Sequence, residues 1–180
     1  MVQYLGEVDK IKKARLWNDM NTRCYNEKLH ERFPQYSDCE VKFSSKEDFY
    51  KWVDENYYTI DGEIIDLDKD ILVKGNKDYG RDTCIFAPHS INTLFLSNKK
   101  GRGKYPIGVS YDKDRNKYRA DFSFNGNRIH LHRWNTPEEA FIEYKAYKEA
   151  FIKAVADRYK DKIPQKLYDA MYAWKIEITD

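Results

Sequence analysis

Lys117-Tyr118-Arg119-Ala120-Asp121-Phe122-Ser123-Phe124 alternates strictly, sending Tyr118, Ala120, Phe122 and Phe124 to one side of an extended chain. Asn125-Gly126 follows, a turn dipeptide that accepts the positive φ of a tight hairpin. The returning strand directs Ile129 and Leu131 to the same side, and Arg128, His130 and His132 to the other. Working upstream, Pro106 to Tyr111 supplies a third strand. Working downstream, Thr136 and Glu139 have the spacing of a capping box, with Pro137 at the first helical position where its missing N–H costs nothing. The stripe Ala140, Phe141, Tyr144, Tyr147, Phe151, Ala154, Val155 and Tyr159 then predicts a long helix that covers one face of a three-stranded antiparallel sheet. The uncovered face presents Lys117, Arg119, Arg128, His130 and His132 together.

Charge points to the same segment. From Lys99 to Arg133 the chain holds ten lysines and arginines against Asp112, Asp114 and Asp121, although the whole protein carries a net charge of only +2. The rest of the chain is therefore net acidic, and any strong field for a polyanion has to come from this window. A two- or three-stranded ribbon can enter the major groove of a duplex, where arginine makes bidentate bonds to guanine. Lysines in the linker and turns, Lys104 among them, would hold phosphates and make affinity steeply salt-dependent.

The remainder reads as helices followed by strands. Trp17, Met20 and Cys24, with Leu16 beside them, predict a helix from Lys10 to about Lys28. Ser44 and Glu47 have capping-box spacing ahead of Phe49, Trp52 and Val53, which predicts a second helix. Asp61-Gly62 is a turn signal, and 64–72, the loop at 74–77, the apolar run 83–88 and a helix start near Ser90 predict strand, loop, strand, helix. Residues 97–104 hold no apolar side chain and two glycines, as a basic linker would. After Pro164, Leu167, Met171 and Trp174 predict a short helix, and Ile176 with Ile178 an edge strand.

Several classes are excluded at this level. No stretch approaches the about 18 consecutive apolar residues of a membrane span, and the first residues lack a signal-peptide core, so the expectation is a cytoplasmic protein with no membrane partner. Cys24, Cys39 and Cys84 are odd in number and show no paired spacing, which suggests neither a disulfide framework nor a cysteine zinc site.

Ile107-Gly108-Val109-Ser110-Tyr111, Lys117-Tyr118-Arg119-Ala120, Ile129-His130-Leu131 and Trp134-Asn135-Thr136-Pro137-Glu138-Glu139-Ala140 with Tyr144 together resemble the ethylene-response-factor (Apetala-two) DNA-binding domain. That domain occurs in plant transcription factors and, in a phage-type version, behind HNH homing endonucleases. The resemblance implies double-stranded DNA as partner, read through Arg119 and Arg128, with Arg115 as a further candidate. It assigns Trp134 to packing. His132 stands where the family has glycine, so the local backbone of the third strand is expected to differ. Ser110 stands where plant members carry arginine, which argues against plant-like sequence preference.

Leu67-Asp68-Lys69-Asp70-Ile71, Asn76-Lys77, Thr83-Cys84-Ile85-Phe86 and Ile91-Asn92 similarly resemble the module of an HNH nuclease. Arg23-Cys24-Tyr25-Asn26 and Pro34-Gln35-Tyr36 resemble phage proteins that carry such a module before the same DNA-binding domain. HNH catalysis needs a histidine at the end of the first strand as general base and a divalent cation on the leaving oxygen. Lys69 occupies that position, and a lysine is ordinarily protonated near neutral pH and makes a poor base. Candidate catalytic residues are Asp68, Asp70, Asn76, His89 and Asn92, with Asp68 or Asp70 as the hard oxygen ligands for Mg2+ if the module cleaves.

The expected fold is α+β: N-terminal helices plus a degenerate HNH-like ββα module over 1–96, the linker 97–104, the DNA-binding sheet and helix over 105–162, and a C-terminal helix and tail over 163–180. The expected function is phage-type double-stranded DNA binding without efficient cleavage, in the bacterial host cytoplasm. One alternative is an active metal-dependent endonuclease. Another is an anti-CRISPR type inhibitor in which this scaffold binds a host defence nuclease, its acidic remainder meeting a basic partner surface.

Overall fold

The structure, a computed structural model, describes residues 2–96 and 103–180. The expected basic linker at 97–104 therefore lies largely outside the described residues, and only its end, Gly103 and Lys104, is seen, as a turn. The fold is α+β, as the periodicities predict. The chain divides into two compact units, Met1–Asn92 with Asp161–Leu167, and Thr93–Lys160 with Tyr168–Asp180.

The first unit opens with α1 (Lys10–Tyr25), capped by Asp9, whose carboxylate accepts from the backbone of Ile11 and Lys12. The expected helix to Lys28 breaks at Asn26. That residue ends α1 in an extended conformation, and its side chain caps α2 (Glu27–Arg32) through Leu29 N–H. The cap of α3 (Lys46–Asn56) also differs from expectation. Ser45, not Ser44, accepts from the backbone of Asp48, while Ser44 is held by the Asp48 carboxylate. Phe49, Trp52 and Val53 are buried as their spacing predicts. They join Phe43 and Phe86 in an aromatic core, with Trp52 stacked near Phe49 and tilted on Phe86.

Two short sheets complete this unit. β1 (Glu40–Val41) pairs in parallel with β3 (Asp78–Tyr79). β2 (Ile65–Asp68) pairs antiparallel with β4 (Ile85–Pro88), which runs directly into α4 (His89–Asn92). All three cysteines are free and buried, and burial raises the Cys24 and Cys84 thiols to about 12, as suits packing groups.

The second unit contains β5 (Val109–Asp112), β6 (Lys117–Phe124) and β7 (Asn127–Trp134) in the order β5-β6-β7, all antiparallel. Asn125 and Gly126 both take positive φ, 48° and 76°, the requirement of the two-residue turn between β6 and β7. Ala120 and Phe122 are buried under α5 (Pro137–Tyr159), which lies mainly over the middle strand. Both halves of the capping box form. Thr136 accepts from Glu139 N–H, and the Glu139 carboxylate accepts from Thr136 N–H.

The buried stripe of α5 is Ala140, Phe141, Tyr144, Lys148, Ile152, Val155 and Ala156. The expected stripe is right for its first turns and then diverges: Ala154 is exposed, and Tyr147 and Phe151 flank the contact line. Their rings close over Phe122 and Phe124 from the side. After α6 (Gln165–Ala173) the expected edge strand is absent. Ile176 instead donates its N–H to Glu149 and accepts from Lys145, so α5 takes the backbone groups that a strand would offer, and Ile178 stays exposed.

Candidate nucleic-acid interface

Alternation along β6 puts Lys117, Arg119, Asp121 and Ser123 on the face away from α5, and pairing places Arg128 opposite Ser123 and His130 opposite Asp121. Asp121 is the centre of this face. Its side chain is only 8% exposed, yet it receives Arg119 Nε at 2.9 and 3.1 Å, Arg128 Nη2 at 2.7 Å, Ser110 Oγ at 2.7 Å and His130 Nδ1. Burial pushes this carboxyl up, but the hydrogen bonds from His130, Ser110, Arg128 and Arg119 outweigh it and bring it down to about 2. Sequence counting treats Asp121 as a charge to subtract from a basic patch. Geometry makes it the group that gathers the patch.

The third strand corrects the expected face. Between Arg119, which faces Arg133, and Asp121, which faces His130, a single β6 residue, Ala120, opposes both Leu131 and His132. This is a β-bulge in β7, and its extra residue shifts the alternation by one. His132 consequently leaves the open face. Its backbone N–H donates to Glu143 of α5 at 3.1 Å and its Nδ1 pairs with the same carboxylate. Glu143 also accepts from Trp134 Nε1 at 2.7 Å. Ile129 shares the helix side with Phe122 but remains 39% exposed, because β7 is the edge strand and α5 favours β6.

Arg133 takes the place vacated by His132, directly opposite Arg119. Sequence reasoning counted Arg133 as charge but not as part of the face, because the strict alternation of β7 gives no sign of the extra residue. Arg133 Nε donates to Asp112 at 2.8 Å, and Arg115 approaches the same carboxylate at 3.5 Å. The bond from Arg133 and that from the Arg115 backbone hold Asp112 below the usual carboxylate value. Lys117 donates to Asn135, and Lys104 lies over the ring of Tyr105 at 5.4 Å.

The other candidates lie in the first unit. Asp68 accepts from the backbone of Asp70 and Ile71, each at 2.7 Å, and burial pushes its carboxyl up. Lys69 is buried, with its ammonium on both Asp70 oxygens at 2.8 Å and on the Asn76 carbonyl at 2.7 Å. Asn76 closes the loop by donating to the carbonyls of Lys69 and Asp78. These residues form one satisfied turn rather than a set of open ligands, and the donor set does not fit the Mg2+ that a cleaving module would need. Among the described residues, no group of three or more His, Cys, Asp or Glu could hold a metal ion.

His89 and Asn92 belong to a different cluster. His89 Nδ1 meets Asp66 Oδ2 at 2.7 Å, and Asn92 Nδ2 donates to the same oxygen at 3.1 Å. Asp66, which the sequence reading passed over, therefore ties the first turn of α4 to β2 and fixes the orientation of the His89 ring.

The chain is thus defined as an α+β protein whose second unit is a three-stranded antiparallel sheet on one long helix, its open face carrying arginines gathered on aspartates. No known protein family, curated protein or solved structure matches it. No helix among the described residues is long and apolar enough to cross a membrane.

Proposed function

We propose that this chain is a phage-type double-stranded DNA-binding protein that reads the duplex through the open face of β5, β6 and β7, built on an HNH-like scaffold that does not cleave efficiently. The observation that carries the reading is the pair Arg119 and Arg133. They stand directly opposite one another, and each is held through Nε by an aspartate. Opposed like charges destabilise a sheet, so such a pair suits a face whose partner is an anion with hydrogen-bond acceptors in fixed positions. A duplex presents such acceptors in its major groove, where guanine offers O6 and N7 to an arginine fork.

Lys69 supports the absence of efficient cleavage. By the HNH resemblance it stands where a general base would be needed, and its ammonium is committed to Asp70 and Asn76.

A mobility-shift titration of the full chain with random-sequence duplex tests the reading. Binding is expected to weaken steeply with salt, with the logarithmic slope falling by about 0.9 per phosphate contact. Absence of any shifted duplex at low salt would sink the proposal. Supercoiled plasmid with magnesium or manganese tests the second half, and robust metal-dependent nicking would show that the first unit is a working nuclease.

A further inference from the structure

We infer that Asp121, assisted by Asp112, is a positioning residue that gives this face discrimination among sequences at the expense of general affinity for DNA. The inference rests on the DNA-binding reading above and concerns what its acidic residues do there.

An acidic side chain on a surface that meets phosphates opposes binding by simple Coulomb repulsion. Asp121 nevertheless occupies the centre of the face, nearly buried, and accepts from Ser110, Arg119, Arg128 and His130 at once. Its effect on the arginines is geometric. A guanidinium carries five N–H donors in a rigid plane. When Nε is bonded, the plane is fixed, and the terminal pair of nitrogens is left over for a partner. Arg119 is held in this way on Asp121, and Arg133 on Asp112. The Nη groups of both have no partner among the described residues, and the side chains are 22% and 36% exposed.

Arginines fixed in orientation suit base edges, whose acceptors occupy defined positions. Arginines free to swing suit phosphates, which line the whole backbone. Ser110 holds the carboxylate as well. Its hydroxyl occupies one lone pair of Asp121, and with the arginines and histidine the carboxylate is saturated, so it has no reason to rotate.

The test compares the full chain with its Asp121→Asn variant by fluorescence anisotropy. One probe is the duplex that wild type enriches from a random pool, and the other is a scrambled duplex of the same length and composition. Asp121→Asn keeps the shape but removes the negative charge and half of the acceptor capacity. Its affinity for the scrambled duplex is expected to rise, its affinity for the enriched duplex to fall, and the ratio of the two to drop by about tenfold, the scale of one bidentate contact. A purely structural role would lower both affinities in parallel and leave the ratio unchanged, and that result overturns the inference. So does a wild-type protein that binds every duplex equally, although the DNA-binding reading would then stand. A wild-type protein that binds neither duplex removes the reading itself.

If Asp121→Asn does not fold by circular dichroism, Arg119→Lys decides. It keeps the charge and loses the fork, so affinity for the enriched duplex is expected to fall more than affinity for the scrambled one, and the ratio to fall with it. A constant ratio in that variant overturns the inference.

Discussion

Two single residues carry more of the second unit than their types suggest. Gly108 has φ of 73°, and a Cβ placed on it would lie 2.1 Å from the ring of Tyr144. Its carbonyl also accepts from Asp121 N–H at 2.7 Å, so the close approach fixes the backbone beneath the open face. Gly108→Ala combines a strained backbone with a clash and is expected to destabilise the protein by at least about 2 kcal/mol in urea denaturation. An unchanged midpoint would mean that Tyr144 moves aside freely. The sequence shows a glycine before a strand, but its reason is a side chain far along the chain. Asp121 is similar: the alternation of β6 places it on the open face, yet only the folded sheet brings four donors to it. Its carboxyl is depressed from 3.8 to about 2 in the folded protein. The stabilisation from its ionised form is therefore complete above the ordinary carboxylate value and is lost as pH falls through about 2. Melting temperatures of wild type and Asp121→Asn should differ most near neutral pH and converge between about pH 4 and pH 2. A gap that stays constant over that range would assign the effect of Asp121 to packing rather than charge.

At the scale of elements, what was legible is what local chemistry decides. The turn at Asn125-Gly126, the alternation of β6 and the cap at Thr136 follow from residue types over a few positions, and each is found in the structure. The box at Thr136 is reciprocal, since Glu139 accepts from both the backbone and the hydroxyl of Thr136 while donating its own N–H back. Thr136→Ala is expected to cost about 1 kcal/mol in chemical denaturation. Because the two residues act as one cap, Thr136→Ala with Glu139→Ala should cost less than the two single changes combined. Strict additivity would show that the two bonds form independently. The bulge in β7 was not legible in the same way. Nothing in the alternation of Arg128 to Arg133 marks an extra residue, and it takes Glu143 on the neighbouring helix to hold His132 out of register. The tail fails for a related reason. Ile176 and Ile178 have the spacing of a strand, but Lys145 and Glu149, 31 and 27 positions earlier, claim the backbone of Ile176.

For the whole molecule, the order of the chain and the order of the units disagree. The chain leaves the first unit after Asn92, returns to it for Asp161–Leu167, and ends in the second. No composition shift marks that return, because a seven-residue segment contributes to a core through Ile163, Pro164 and Leu167 and not through a pattern. Ile163 and Leu167 are 1% and 0% exposed, as deeply buried as any residue of the aromatic cluster around Phe49. Deleting a fully buried leucine side chain beyond Cβ removes apolar contact and leaves a cavity, at about 2 to 5 kcal/mol. Leu167→Ala in the full chain is therefore expected to weaken the first unit although the residue follows the whole three-stranded sheet in sequence. Hydrogen exchange provides the readout, because it resolves stability locally. Amides of β2 and β4, far away in sequence, should exchange faster in the variant, while those of β5 and β6 change less. Acceleration confined to β5, β6 and β7 would place Leu167 in the second unit instead. The same logic predicts that a fragment ending at Leu96 is cleaved by thermolysin sooner than the first unit of the intact chain, since it lacks the segment carrying Ile163 and Leu167. Equal resistance would show that the first unit does not need the returning segment.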